Sequence, residues 1–175
     1  MNKNEIIQIR LLKEDFKPYP KKDHYKMVYV DIENYKDFEN DLKRVVSLVH
    51  NDLPDWDDAP TYEIVLERFK SNSHSLLFYY NDECIGWNWG TPNVCFDYIN
   101  LHQTLKENEL YGGGCFVSKS VKRPADAGFY NYNMMFDYWI NNTDYDTFYG
   151  YVDYWNKAAI RVNFQNGVKV FDYLK

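Results

Sequence analysis

The sequence is short of the residues that build stapled, fibrous or membrane-spanning chains. It has three cysteines in 175 residues. Cys84, Cys95 and Cys115 include no Cys-x-x-Cys pair, and an odd number cannot close a complete disulfide set. A reducing, cytoplasmic compartment is the expectation. The sequence has 8 glycines and 6 prolines, too few for a low-complexity or collagen-like chain. No apolar run approaches the length of a membrane span, and Met1-Asn-Lys-Asn-Glu-Ile-Ile is too polar for a secretory leader. Positive charge is scarce as well. With 20 Lys and Arg against 26 Asp and Glu, the net charge is −6, which argues against an extended nucleic-acid surface. The four histidines, His24, His50, His74 and His102, are dispersed, so no metal site is expected.

What is present is a globular composition, 45% hydrophobic and 26% charged, at a length that suits a single domain over 1–175. Aromatics reach 19%, with 17 Tyr, 11 Phe and 5 Trp. They fit broad contact surfaces in a core or around a groove, and they fit equally an A/T-rich coding bias.

Periodicity predicts strands over 6–12 and 25–32, a helix from Asp37 with Phe38, Leu42, Val45, Val46 and Val49 on one face, and a second helix after Pro60. A hairpin follows, with Ser75–Tyr80 and Cys84–Gly90 about a short polar turn. Val94 to Leu105 reads as a strand or connection. Leu110–Val117 is an extended segment carrying Gly112-Gly113-Gly114, which suggests a bulge, a ligand against the backbone, or a flexible turn before a short strand. A helix with Phe129, Tyr132, Phe136, Trp139 and Ile140 on its apolar face comes next, then strand 147–153, helix 156–165 and strand 168–174. The alternation predicts an α/β fold, a mixed sheet covered by helices.

The segment richest in chemical signal runs from Cys115 to Met135. It reads as a strand, a basic loop and a helix start. A helix N-terminus leaves its first amides outside the helical ladder and favours negative charge, so it suits a diphosphate. Lys122 and Arg123 supply charge, and Ala125, Ala127 and Gly128 supply room. The same pattern also describes an ordinary solvated loop.

Downstream, Asn156-Lys-Ala-Ala-Ile-Arg-Val-Asn-Phe-Gln-Asn-Gly-Val168 carries Asn156, Ala159, Val162 and Gly167-Val168 in the register Asn-x-x-Ala-x-x-Leu-Tyr-x-x-x-Gly-Phe. In this the chain resembles the GNAT (N-acetyltransferase) superfamily as a divergent member, over roughly Ser75 to the C-terminus. The resemblance implies a central, mostly antiparallel twisted sheet with helices on both faces and a splayed strand pair. It implies acetyl-CoA (or another acyl-CoA) as cosubstrate, and direct acyl transfer to a small-molecule or peptide amine. Phe116 and Val117 would pair with the pantetheine arm, and Asn156 would contact the cofactor arm. The phosphate loop registers as Lys122-x-x-Ala125-x-Ala127 or as Arg123-x-x-Asp126-x-Gly128, and neither is a full match. Glu109 and Tyr111 are the nearest ionisable residues for a general base. The family's frequent Tyr falls at Asn163, which has no proton to give to a departing thiolate.

Other features carry weaker signals. Trp87 and Trp89 share one strand face and would either line an acceptor groove or pack in the core. Asp55-Trp-Asp-Asp58 could attract a cationic amine or simply be solvated. The C-terminal strand could pair across a homodimer. Two alternatives to an enzyme stay open: a catalytically degenerate GNAT fold that binds acyl-CoA or a protein, and an aromatic-rich ligand-binding module.

Overall fold

The computed structural model describes residues 6–56, 59–92 and 104–174. Its strands are β1 (Ile6–Leu12), β2 (Tyr25–Val30), β3 (His74–Tyr80), β4 (Glu83–Pro92), β5 (Glu109–Val117), β6 (Thr147–Asp153) and β7 (Lys169–Leu174). The helices are α1 (Glu39–Asp52), α2 (Tyr62–Lys70), α3 (Ala127–Asn142) and α4 (Lys157–Gln165), with 3-10 turns at Lys13–Asp15 and Tyr35–Phe38. One seven-stranded sheet has the order β2-β3-β4-β5-β6-β1-β7. Its pairs are antiparallel at β1–β6, β1–β7, β2–β3 and β3–β4, and parallel at β5–β6. The fold is thus mixed α/β with a mostly antiparallel sheet. The parallel pairing covers Glu109, Leu110 and Tyr111 of β5 and stops there.

The chain forms two compact units that divide β5 between Gly113 and Gly114. The first contains Met1–Pro20, Thr91–Gly113 and Tyr132–Lys175; the second contains Lys21–Gly90 and Gly114–Asn131.

In the second unit, helices cover both sheet faces. Leu42, Val45 and Val49 of α1 and Val65 and Phe69 of α2 pack on Val30, Leu77, Tyr79, Trp87 and Trp89. Alternation along the strands sends Asn88 and Tyr25 the other way, to Asn131 and Tyr130 of α3. The hairpin turn is Asn81-Asp82, both at positive φ (47° and 64°), the geometry that matches strand twist in a two-residue connection. β2 ends at Val30, two residues short of the expected strand, because the Asp31 carboxylate accepts the amides of Glu33 (2.9 Å) and Asn34 (3.2 Å) and turns the chain. α2 begins at the Thr61 cap, and its last turn holds Arg68 and Lys70 where cations favour the helix dipole.

In the first unit, α4 is capped at both ends. Asn156 Oδ1 accepts the Ala159 amide at 3.1 Å. Beyond the helix, Gly167 (φ +96°) lets its own amide reach Phe164 O while the Val168 amide reaches Asn163 O. A Cβ at Gly167 would lie 2.0 Å from Asp15 O, so the turn is packed tightly against the segment after β1. Asn133 fastens the same segment through Lys17 O (2.9 Å), Asn166 Oδ1 (2.6 Å) and the Tyr19 amide (3.2 Å).

The buried face of α3 is wider than its apolar spacing implied. Phe136, Trp139 and Ile140 are buried as expected, while Phe129 and Tyr132 are half-buried and Asn131 and Asn133 are fully inside. Trp87 and Trp89 are core residues, 2% and 1% exposed, with ring centroids 5.7 Å apart. The strand or connection expected at Val94 lies largely outside the described residues, as do Cys95, His102 and the Asp57-Asp58 end of the acidic loop.

Candidate functional site

The basic loop and the start of α3 fold within the second unit, held by two carboxylates. Asp52, the last residue of α1, accepts the Ser118 hydroxyl (2.8 Å), the Lys119 amide and the Ser120 amide (3.2 Å). Burial works to raise its pKa. The hydrogen bonds from Lys119, Ser118 and Ser120 outweigh that, and the carboxyl is held below its ordinary value. The Ser118–Ser120 turn is thus an anion cradle already filled by the protein's own carboxylate.

Asp126 stands immediately before α3. Its carboxylate is ion-paired to Lys22 and accepts the Tyr25 hydroxyl at 2.7 Å. The Lys22 hydrogen bond, then that of Tyr25, holds the Asp126 carboxyl below its usual range. Burial, followed by the Asp126 contact, pushes the Tyr25 phenol up, so the proton stays on tyrosine. Lys22 also sits over the Tyr130 ring, 4.8 Å from its centroid. An acid before α3 would repel a diphosphate in isolation. Here its charge is matched by a lysine 104 residues away in sequence, which spacing alone could not reveal.

Lys122 and Arg123 have different surroundings. Lys122 is exposed. Arg123 turns back on its own loop and donates to Ser118 O and to Pro124 O (3.3 Å). It shapes the loop more than it reaches outward. Ala125 is exposed, and Ala127 is completely buried, with its amide donating to Pro124 O at 3.2 Å. A Cβ built on Gly128 meets nothing within 4 Å, so the first turn of α3 borders open space. The Gly128 end of α3 is thus unobstructed, whereas the Ser118–Ser120 turn has its amides engaged by Asp52 and Ile85 O.

Phe116 and Val117 lie on β5, both half-buried, beside Gly86 of β4. A Cβ on Gly86 would be 2.2 Å from Phe116 O, and the Ser118 amide bonds Ile85 O at 2.8 Å. The three consecutive glycines each have their own surroundings. Gly112 approaches Tyr149 O, and Gly113 lies beneath the Tyr111 ring. Gly114, at φ +60°, faces Arg68 and Trp89.

The remaining candidates lie in the first unit. Glu109 is 7% exposed and accepts the Lys106 amide (3.0 Å) and the Tyr149 hydroxyl (3.4 Å). Tyr111 is 6% exposed and packs on Tyr151. Asn156 spends its carbonyl on the α4 cap. Asn163 is buried, and its Nδ2 donates to Ala159 O at 2.9 Å, a helix-internal tie. Among the described residues no group of three His, Cys, Asp or Glu is placed to hold a metal, and no helix is long and apolar enough to cross a membrane.

No family model matches the sequence, and no curated protein does. Solved structures do. A GCN5-related N-acetyltransferase from Sphaerobacter thermophilus is similar at a TM-score of 0.62 and 14% identity, over 97% of this chain and 49% of its own. One from Kribbella flavida gives 0.61 and 8%, over 95% and 55%. An aminoglycoside acetyltransferase from an uncultured soil metagenomic sample, solved in complex with trehalose, gives 0.55 and 9%, over 82% and 88%. The chain spans about half the length of the first two. At such identities the likeness is one of architecture, and by that architecture the chain carries the fold of the GCN5-related N-acetyltransferases.

Proposed function

We propose that the chain is an N-acyltransferase that moves an acetyl or related acyl group from acyl-CoA to an amine by direct transfer, with residues 1–175 acting as one acyltransferase domain. The transfer forms an N–C amide bond, breaks the C–S thioester bond and passes one proton from the amine to the thiolate or to solvent. The observation that carries the reading is the start of α3. In a fold shared with N-acetyltransferases, it combines open space at Gly128, an exposed Lys122 and an Asp126 whose charge is already matched by Lys22. Lys122 and the amides near Gly128 would hold the diphosphate. Arg123 would keep the loop in shape, and Phe116 and Val117 would offer backbone groups to the pantetheine arm. The net charge of −6 favours a cationic or neutral amine over an anionic polymer as acceptor.

Calorimetry with acetyl-CoA and free CoA tests this. Wild type should bind with a Kd of about 1–100 μM, and Lys122→Ala should weaken binding by roughly three- to tenfold through loss of one charge-assisted contact. Arg123→Ala should weaken it by loosening the loop. Absence of binding by the wild type overturns the proposal. Binding without turnover on an amine panel would favour the second reading, a fold-retaining binder without catalysis. The buried, helix-tied Asn163 supports that reading, because no proton donor stands at that position.

A further inference from the structure

We infer that Asp52 is a positioning residue for a bound anion: its carboxylate sets the shape of the loop from Ser118 to Asp126 and, through that loop, the presentation of Lys122. The word anion rests on the acyl-transfer reading, in which the ligand is the diphosphate of CoA. The latch itself rests on residues of the second unit alone.

The place of Asp52 is the primary observation. It is the last residue of α1, where the helix dipole presents its negative end and a carboxylate is disfavoured. The donors it takes from Ser118, Lys119 and Ser120 offset that cost. The helix behind it is fixed, because Leu42, Val45 and Val49 of α1 are completely buried. One carboxylate thus ties a rigid element to a turn that begins 66 residues further along the chain.

The Ser118 hydroxyl passes this tie into the loop. Ser118 is completely buried, and its hydroxyl proton goes to Asp52 at 2.8 Å. With that proton committed, Ser118 Oγ accepts from the Ser120 hydroxyl at 3.0 Å and from the Val121 amide at 3.4 Å. Bonds linked in this way polarise one another in a single direction. Arg123 closes the loop from its other side, donating to Ser118 O and Pro124 O. At the far end Asp126 is held by Lys22 and Tyr25. Between these fastenings, Lys122 is the residue of 121–126 that is both charged and exposed.

A loop that is already ordered loses less entropy when a ligand docks, so Asp52 adds affinity for an anion it does not touch. Its own charge acts in the opposite sense, by repulsion. The geometry favours ordering, because three donors cover that charge. Removing the carboxylate should therefore weaken anion binding rather than tighten it.

The test has one arm without ligand and one with it. Amide hydrogen exchange is compared between wild type and Asp52→Ala. Lys119 and Ser120 lose their acceptor and exchange faster in any case. The inference requires that Val121, whose amide bonds Ser118 and not Asp52, also exchange faster, by about threefold or more. In the second arm acetyl-CoA, free CoA and inorganic pyrophosphate are titrated by calorimetry. Asp52→Ala should weaken acetyl-CoA and CoA by the same factor, about fivefold or more, because the loop faces the diphosphate and not the acyl group. Asp52→Glu, which keeps the carboxylate, should recover part of the loss. In a Lys122→Ala background the Asp52→Ala loss should shrink to about twofold or less, a coupling that lowered stability alone would not produce. Tighter binding in Asp52→Ala, an unaltered Val121 amide, or full additivity with Lys122→Ala each overturns the inference. Should Asp52→Ala fail to fold, Ser118→Ala breaks the same chain of bonds and carries both arms. A wild type that binds pyrophosphate through Asp52 and Lys122 but binds no CoA keeps the latch and removes the acyl-transfer reading. CoA binding indifferent to Asp52 does the reverse, and binding of neither ligand overturns both.

Discussion

The two compact units tie their loops down by different chemistry. In the first, the segment after β1 is held inside by amides, Asn133 on Lys17, Tyr19 and Asn166, with Gly167 closing the turn beneath it and one ion pair, Lys169 to Asp15, at its exposed edge. In the second, the loop before α3 is held by carboxylates, Asp52 on Ser118 to Ser120 and Asp126 on Lys22 and Tyr25. Amide ties carry no net charge and do not titrate. Carboxylate ties do both, and they stand where the proposed ligand is itself an anion. The difference teaches that the loop before α3 is anchored by carboxylates, whereas the buried ties of the segment after β1 are amides and its one ion pair is at the exposed edge.

The largest expected effects come from filling one tight glycine in each unit. Gly86→Ala places a methyl 2.2 Å from Phe116 O, and Gly167→Ala places one 2.0 Å from Asp15 O at a φ of +96°. Backbone cannot yield as a side chain can, so each should cost about 3 kcal/mol or more in urea unfolding. Acetyl-CoA binding by whatever fraction remains folded should be lost in Gly86→Ala and kept in Gly167→Ala. Equal loss in both would erase the functional distinction between the units.

Next in size is Asn133→Ala. It removes the donor to two acceptors, Lys17 O and Asn166 Oδ1, inside a buried setting, and should cost about 1–3 kcal/mol. No charge is involved, so the loss measured by urea midpoints should be flat between about pH 5 and 8.

The carboxylate ties predict the opposite pH behaviour. Asp52 and Asp126 both have folded pKa values below the unfolded value of 3.8. A depressed carboxyl stabilises the fold above its unfolded pKa, and that stability drains away as pH falls through the folded pKa. Asp126→Asn should therefore cost up to about 1 kcal/mol near neutral pH, because the pair with Lys22 is partly exposed, and should cost nothing once the wild-type acid is protonated. A penalty that persists unchanged in acid would show that Asp126 acts by shape alone.

Much of the fold was legible because period and punctuation agree along the chain. The apolar spacing of Leu42, Val45 and Val49 gave α1, and the turn-forming pair Asn81-Asp82 separated two apolar runs that are β3 and β4. The Asn156 cap and the Gly167 stop bounded α4. The shortened β2 was not legible, since Asp31 ends it by folding its carboxylate onto the following amides. At the site, the segment 122–128 could be located from its basic residues and small side chains, but its electrostatics could not. Lys22 and Asp52 lie 104 and 67 residues from their partners Asp126 and Lys119, and contacts at such separation leave no local pattern. Gly112-Gly113-Gly114 drew notice as a possible bulge or ligand contact. The fold divides that run into Gly113, beneath the Tyr111 ring, and Gly114, at φ +60° and packed closely on Arg68 and Trp89.

The smallest effects sharpen the comparison most, because they test one hydroxyl in each unit against a carboxylate. Tyr25 donates to Asp126 at 2.7 Å, and Tyr149 donates to Glu109 at a stretched 3.4 Å. Tyr25→Phe should cost about 1 kcal/mol, the net worth of a well-formed hydrogen bond to a charged acceptor, and Tyr149→Phe about half that or less. The decisive measurement is the double change Tyr25→Phe with Asp126→Asn. If the hydroxyl acts through the carboxylate charge, the two costs should fall short of adding, leaving a coupling of at least about 0.5 kcal/mol. Strict additivity would mean that the Tyr25 hydroxyl acts independently of the Asp126 charge, its ring packing on Phe78 and Tyr130 being kept in the Phe variant, and the start of α3 would then owe its electrostatic balance to Lys22.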